Sequence, residues 1–273
     1  MTHKHPFQQL RIAVAAVFTL SMLFGTAWAD DRLRAVIDAD QRQDEAARDP
    51  FRNPYETLTF FGIAPDMTVV ELSPSGGWYT EILGPYLADQ GQLVAAHFNL
   101  DRENAPDYYA RARTAYDERI SDAERFGSIE ILPFDPPTVS SLGEPGSADL
   151  VVSFRSVHGW KRDEVFDDVL KSTHEVLKPG GVFGIVGHRL PEDGDDSVFN
   201  GYVKQSWVVA QAESNGFKLI EASDINANPA DTADHENGVW SLPPSLNVDD
   251  EAQREINQAV GESDRFTLKF VKR

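Results

Sequence analysis

The chain has 273 residues, of which 41% are hydrophobic, and it contains no cysteine. The absence of cysteine excludes disulfide bonds, thiolate nucleophiles and cysteine-based metal sites. The formal net charge is −19, and a strongly negative field repels the phosphates of nucleic acids and of anionic lipids. We therefore do not expect a nucleic acid as partner or substrate.

The first 29 residues have the pattern of a secretory signal peptide. Lys4 and Arg11 are basic, residues 12–23 are almost wholly apolar, and Ala27 and Ala29 place small residues at positions −3 and −1 of a cleavage point. The alternative is a membrane anchor, but the apolar run is shorter than the roughly 20 residues that span a bilayer. We predict cleavage after Ala29, a periplasmic or secreted protein, and no stable membrane insertion once the leader is removed.

The rest of the chain, residues 30–273, is predicted to be one domain with a helical lead-in over residues 30–62. The lead-in has a polar helix at 31–47, which Pro50 and Pro54 end, and a short helix before Gly62. Apolar strands are predicted at 68–72, 93–98, 128–134, 149–154, 182–187, 217–222 and 266–271. Helices are predicted between them at 78–87, 106–124, 165–177, 202–214 and 250–260. This alternation indicates βαβ units and a largely parallel sheet.

One segment, residues 223–248, is too long to be an ordinary connection. It contains Trp240, Leu242, Pro243 and Pro244, a composition that favours a packed flap over disorder. It is therefore either a functional element or a disordered one, and we expect the former.

The most informative segment is residues 69–80, VVELSPSGGWYT. A strand that ends in an acidic residue and is followed by a Gly-rich turn is typical of the cofactor crevice of an open α/β sheet. Gly76 and Gly77 let a ligand approach the main chain and leave N–H groups free at a helix start. The alternative is a tight turn without a ligand. Trp78 and Tyr79 follow, and we expect core packing for one of the two.

Three segments resemble the motifs of class I S-adenosylmethionine (SAM)-dependent methyltransferases. They are residues 69–80, similar to motif I, residues 147–158, similar to the fourth strand and its loop, and residues 176–183, which match the LKPGG turn before the fifth strand. Four shorter segments resemble exported predicted methyltransferases of bacteria, namely 73–83, 154–160, 239–244 and 261–270. The resemblance begins near Arg48 and implies a three-layer Rossmann-like α/β sandwich. Its seven-stranded sheet is mostly parallel, with an antiparallel last strand.

The resemblance also implies SAM as cofactor and assigns residues to it. Glu71 matches the acidic residue of motif I near the methionine end of SAM. Ser73, Ser75 and Gly77 fall on the three glycine positions of the motif, so two glycines are replaced, and the additional Gly76 offers compensation.

Two further positions are carried over with departures. The second strand is followed by Asn99 where these enzymes usually have a carboxylate for the ribose, so a hydrogen bond there lacks charge assistance. Asp135 matches a residue that often meets the adenine amino group. Its Asp-Pro-Pro sequence is equally compatible with a turn.

The candidate catalytic residues are His158, His188 and Arg155. His158 and Arg155 follow the fourth strand and His188 follows the fifth, at the edge where these methyltransferases place substrate and catalytic groups. Two histidines at adjacent strand ends are a candidate base and orienting pair, although each is equally explained as a hydrogen-bonded loop histidine. None of the histidine spacings is a short-range metal motif, so no metal site is predicted.

These features predict a SAM-dependent methyltransferase that acts on an unknown small molecule or an envelope component. The alternative is a non-catalytic ligand-binding protein on a degenerate methyltransferase scaffold, which the two serines and the absent carboxylate favour. SAM is made in the cytoplasm, and no sequence feature explains its supply to an exported enzyme. A hydrolase is a weaker third reading, because the chain lacks a Gly-x-Ser-x-Gly elbow. The sequence leaves the oligomeric state unknown.

Overall fold

The computed structural model describes residues 31–273, so the predicted signal peptide lies outside the described residues. The strands are β1 (Thr68–Leu72), β2 (Gln92–Phe98), β3 (Ile129–Phe134), β4 (Ala148–Phe154), β5 (Leu177–Leu190), β6 (Val203–Lys204), β7 (Phe217–Ser223) and β8 (Arg265–Lys272). They follow the order β3-β2-β1-β4-β5-β8-β7, with the two-residue β6 beside β5. β8 is antiparallel to both β5 and β7, whereas the other pairings are parallel. The predicted sheet is confirmed, with β6 as an addition.

Eleven helices in the described residues connect these strands or precede them. They are α1 (31–37), α2 (Gln43–Ala46), α3 (Asp49–Arg52), α4 (Pro54–Phe61), α5 (Thr80–Leu87), α6 (Asp107–Arg119), α7 (Ala123–Phe126), α8 (Val157–Arg162), α9 (Phe166–Val176), α10 (Gln205–Ser214) and α11 (Glu251–Val260). None of the helices within residues 31–273 combines the length and apolarity needed to cross a membrane.

The lead-in departs from the prediction. The single helix expected over 31–47 is wrong, because the chain there forms α1, a 3-10 turn at Asp40–Arg42 and then α2. Pro50 and Pro54 lie in the first turns of α3 and α4 and do not end a helix. Proline is tolerated there since the first N–H groups of a helix have no intrahelical partner. This path places Arg52, which is only 1% exposed, beside Glu262 in the loop before β8.

Both faces of the sheet are covered. Val69 of β1 belongs to an apolar cluster with residues of α4 and α5, whereas its neighbour Val70 belongs to a second cluster with residues of α9 and α10. Successive strand residues point to opposite faces, so one strand contributes to both cores. The predicted three-layer sandwich is confirmed. It leaves the carboxyl ends of the parallel strands together at one edge.

The segment 223–248, called the flap below, packs beside that edge. Its anchor is Asp231, whose side chain is fully buried. The Asp231 carboxylate accepts hydrogen bonds from the Tyr202 hydroxyl at 3.0 Å and from the Asp264 main-chain N–H at 2.7 Å. His235 Nε2 lies 2.9 Å from the same carboxylate. One carboxylate thus joins the flap to the residues before β6 and β8.

Candidate functional site

A cavity of about 530 Å³ lies at the carboxyl ends of β1, β4 and β5. This volume is in the range of small-molecule sites. The walls come from the lead-in (Arg52), the ends of strands β1 and β2 with the turn after β1 (Glu71 to Ser75, Phe98), α6 (Tyr108, Tyr109), the β4 end and α8 (Phe154 to Arg162), the flap (Val239 to Ser245) and the loop before β8 (Glu262, Ser263). The cavity therefore joins the predicted cofactor crevice to the side where substrate groups were expected.

The structure brings together part of the predicted site. Among the predicted site residues, those that line the cavity are Glu71, Ser73, Ser75, Arg155, His158 and His188. Gly76, Gly77, Asn99 and Asp135 do not line it. Gly77, Asn99 and Asp135 make local contacts instead.

Gly77 is needed for packing. Its φ is +79°, and a Cβ there would lie 3.0 Å from the Tyr116 ring of α6. Asn99 accepts a hydrogen bond from the Asp101 N–H at 3.1 Å. Asp135 forms an ion pair with Arg102 at 3.1 Å and starts the turn that its Asp-Pro-Pro sequence allows.

The turn after β1 has a glycine-type main chain under serine side chains. Ser73 has φ +51° and Ser75 has φ +54°, and this left-handed conformation costs a non-glycine residue roughly 1–2 kcal/mol. Neighbouring groups hold the turn in place. The Ser75 carbonyl accepts a hydrogen bond from His97 Nε2 at 2.9 Å, and the Gly76 carbonyl accepts one from Arg119 Nε at 2.6 Å. The turn therefore keeps a main-chain conformation typical of glycine although serine occupies two of the glycine positions.

Glu71 is buried below this turn and is 2% exposed. The Thr80 hydroxyl donates a hydrogen bond to its carboxylate at 2.6 Å. Burial raises the pKa of Glu71 to about 7, although the Thr80 hydrogen bond and the Arg119 charge act in the opposite direction. Near neutral pH this carboxyl group is therefore present in both its charged and its neutral form.

Four arginines lie close to Glu262 at the end of the cavity next to the lead-in, and two of them, Arg52 and Arg155, line the cavity. Sequence reasoning found only Arg155. We call Arg48, Arg52, Arg155 and Arg265 the arginine cluster. Glu262 accepts hydrogen bonds from Arg48 Nε at 2.7 Å, Arg52 Nε at 3.1 Å and Arg265 Nη1 at 3.0 Å. Although burial opposes ionisation, the charges of Arg52, Arg265 and Arg155 lower the pKa of Glu262 to about 2.

Arg155, the fourth member, is held in an unusual main-chain position. Its φ is +63°, and its N–H donates to the Val186 carbonyl at 2.7 Å. Its guanidinium makes no hydrogen bond to any residue within 31–273, and burial lowers the pKa of Arg155 to about 10. Arg52 Nη2 is also buried without a partner in the described chain. Two cationic groups thus line the cavity with hydrogen-bonding capacity to spare.

The two predicted histidines meet in the cavity wall. The ring centroids of His158 and His188 are 5.4 Å apart. Nδ1 of His188 lies 2.5 Å from the Ser263 hydroxyl, whereas the buried Nδ1 of His158 has no partner among the described residues. Burial and the Arg155 charge lower the pKa of His158 to about 4. Burial and the charges of His158 and Arg155 also lower the pKa of His188 well below its ordinary value. Both imidazoles are therefore neutral at pH 7.

Aromatic side chains form the remaining walls. Phe98 stacks on Tyr109 with ring centroids 4.1 Å apart. Tyr79 stacks on Phe154 at 3.4 Å, and the Arg52 guanidinium lies 4.4 Å from the Trp78 ring. Trp78 and Tyr79 are both buried and both line the cavity. Each of them therefore packs in the core and also forms part of the cavity wall.

Comparison with known proteins places this architecture. No protein-family model matches the sequence, and no curated protein matches it. A SAM-dependent methyltransferase from Aquifex aeolicus superposes with a TM-score of 0.55 at 12% identity, covering 89% of this chain and 98% of its own. Geranyl diphosphate methyltransferase in complex with SAM has a TM-score of 0.57 at 13% identity, covering 88% of this chain and 95% of its own. The chain has the fold of SAM-dependent methyltransferases.

The same fold also occurs in a protein with another activity. The cyclase SpnF superposes with a TM-score of 0.53 at 13% identity over 86% of this chain and 85% of its own. Fold does not fix function, so the activity of this chain has to be argued from its own cavity.

Proposed function

We propose that the protein is an exported SAM-dependent methyltransferase that acts on a small molecule or an envelope component. The observation that supports this most directly is the cavity over the left-handed turn at Ser73 and Ser75. In open α/β sheets, ligands bind at the carboxyl ends of the strands, and this cavity has that position.

The cavity residues fit the parts of SAM. Arg52 has an unpartnered Nη2 in the wall and suits the α-carboxylate of the cofactor. Glu71 lies beside the turn and suits its ammonium group. The rings of Phe98 and Tyr108 offer apolar surface for the adenosine. When bound, SAM supplies an electrophilic methyl group on a sulfonium.

The chain itself would orient the acceptor and remove its proton. His158 Nδ1 is free to accept a proton, and His188 is fixed beside it by the Ser263 hydroxyl. Trp240 of the flap lies 5.8 Å from the His158 ring, measured between ring centroids, and helps to exclude water. Alignment of two bound reactants is a large part of catalysis in transfers of this kind.

Binding of the demethylated cofactor, S-adenosylhomocysteine (SAH), tests the proposal. Thermal unfolding of the purified protein is followed with SAM, with SAH and without ligand. A ligand at about 100 times its Kd adds roughly 2.7 kcal/mol to the free energy of unfolding. The absence of any shift at millimolar SAM and SAH would reject the proposal in favour of a ligand-binding protein without this activity.

A pair of glycine variants localises the binding. Gly159 lines the cavity, and a Cβ there meets no atom within 4 Å, so Gly159→Leu is expected to fold and to obstruct SAH. Gly76 does not line the cavity, and a Cβ there lies 4.0 Å from Ala115, so Gly76→Ala is the matched control and should retain SAH binding. Equal SAH affinity in both variants would place the cofactor elsewhere.

A further inference from the structure

The arginine cluster leaves a surplus of positive charge in the cavity. Glu262 pairs with three of its members, Arg48, Arg52 and Arg265, whereas Arg155 has no ion-pair partner among the described residues. The other acids of the cavity wall are engaged elsewhere, since Asp163 pairs with Arg162 and Glu71 accepts from Thr80. The surplus of the cluster is formally three charges, and of its four members Arg52 and Arg155 line the cavity, in a chain whose net charge is −19. Buried charges that lack partners are costly, so this surplus indicates an anionic ligand.

We propose that the acceptor substrate is an acid and that its carboxylate or phosphate group binds Arg155. This assignment rests on the proposed methyl transfer, which defines what an acceptor is. Arg155 lines the cavity, follows β4 directly, and shares its loop with His158. A planar guanidinium with all of its side-chain donors unused matches the two oxygens of a carboxylate or phosphate.

The cofactor alone cannot balance this charge. SAM carries an α-carboxylate, but it also carries an ammonium and a sulfonium, so it brings a net positive charge into the cavity. If Arg52 holds the α-carboxylate, then Arg155 still faces the cavity without a counter-ion. An acidic acceptor supplies a second anion, which removes the repulsion between the arginine cluster and the sulfonium. An acidic acceptor therefore favours binding of both ligands together.

The neighbours of Arg155 give the acid a second effect. The positive charge of Arg155 is one cause of the lowered pKa of His158 and of His188. An anion bound to Arg155 offsets that charge and makes His158 a stronger base only when the acceptor is present. The cavity would thus couple recognition of the acid to removal of the acceptor proton.

Inorganic phosphate is the probe for this site. Its binding to the purified full-length protein is measured by isothermal titration calorimetry, with and without saturating SAH. We expect phosphate to bind alongside SAH, with the phosphate Kd at least about tenfold weaker in Arg155→Gln. The same variant should change the SAH Kd by less than about twofold, whereas Arg52→Gln should weaken SAH. Arg111→Gln, an exposed arginine on α6, is the matched control and should change neither Kd.

Three results separate the possible outcomes. Competition between phosphate and SAH, with weaker SAH binding in Arg155→Gln, would assign Arg155 to the cofactor carboxylate and overturn the proposal. No phosphate binding in the wild type at millimolar concentration would overturn it as well. Phosphate binding that depends on Arg155 in a protein that ignores SAH would keep the acid site and reject the methyltransferase. If Arg155→Gln does not fold, Arg155→Lys and the wild-type competition experiment decide.

Discussion

The guanidinium of Arg52 lies 3.1 Å from the carboxylate of Glu262, a residue 210 positions further along the chain. The two side chains are 1% and 4% exposed, so neither has water as an alternative partner. The pair joins the lead-in to the loop before β8, and both residues line the cavity. The stability of the fold and the shape of the cavity therefore depend on the same ion pair.

The first prediction concerns this pair. Glu262→Gln removes the carboxylate and leaves three hydrogen-bonded arginines without a counter-charge. Loss of one partner of a buried ion pair costs about 3–5 kcal/mol, and urea unfolding should show a loss of that size. Glu251→Gln is the matched control, because its partner Arg254 is 3.7 Å away and its side chain is 81% exposed. A loss below 1 kcal/mol in Glu262→Gln would contradict our account of the cluster.

The second prediction concerns pH and Glu71. Its pKa is raised from 4.5 to about 7 by burial. Between these values the unfolded chain releases the proton while the folded chain keeps it, so stability falls as the pH rises. Glu71→Gln should remove about 3 kcal/mol of the stability difference between pH 4.5 and pH 8. Urea unfolding of wild type and variant at both pH values measures this, with exposed Glu118→Gln as control, and parallel pH profiles would refute it.

The third prediction concerns the histidine pair. Burial and nearby cations lower the pKa of His158 to about 4 and lower the pKa of His188 well below its ordinary value. Their ring resonances in NMR spectra of the ligand-free protein should stay constant between about pH 5.5 and 8, with assignment from His158→Asn and His188→Asn. Titration of either ring near pH 6.5 would show that the two imidazoles are exposed to water and would contradict the prediction. Addition of phosphate should shift the His158 resonance if an anion binds Arg155.

The fourth prediction concerns the turn at Ser73 and Ser75. Both residues adopt positive φ values, which favour glycine. Ser73→Gly and Ser75→Gly should each stabilise the fold by roughly 0.5–1 kcal/mol, because the relief of strain exceeds the entropy that glycine adds to the unfolded chain. Ser121→Gly, at an exposed position without positive φ, should destabilise instead. Equal effects at all three positions would mean that the turn is unstrained.

The fifth prediction concerns export. The leader pattern predicts cleavage after Ala29, so mass spectrometry of the protein recovered from the producing cell should give a chain that begins at Asp30. An intact N-terminus in a cytoplasmic fraction would remove the export from the proposed function, and with it the question of SAM supply.

The extent to which the sequence predicted the fold differs between regions. Strands such as β1 and β4 are short apolar runs next to turn residues, so their positions followed from local pattern. The lead-in differs from the prediction because Pro50 and Pro54 lie in the first turns of α3 and α4 and do not end a helix. A proline excludes the helix interior, and its presence alone does not distinguish a start from an end.

The sequence likewise predicted some residues of the site and missed others. Glu71, His158 and His188 lie at strand ends, and the topology alone brings strand ends together. Glu262 and Arg52 were missed because their contact joins residues far apart in sequence, which no local spacing encodes. The only available signal was the resemblance of residues 261–270 to exported methyltransferases. Asn99 and Asp135 were assigned by position in a motif, and the structure places both in local turns away from the cavity.

The serine turn bears on how proteins of this kind are found. Ser73 and Ser75 have the positive φ values that are usual for glycine, but the sequence of this turn does not match the pattern Gly-x-Gly-x-Gly. Sequence searches that require this glycine pattern will miss chains with serine at these positions, whereas comparisons of backbone dihedral angles will find them. Glycine-based patterns therefore undercount chains that have this fold.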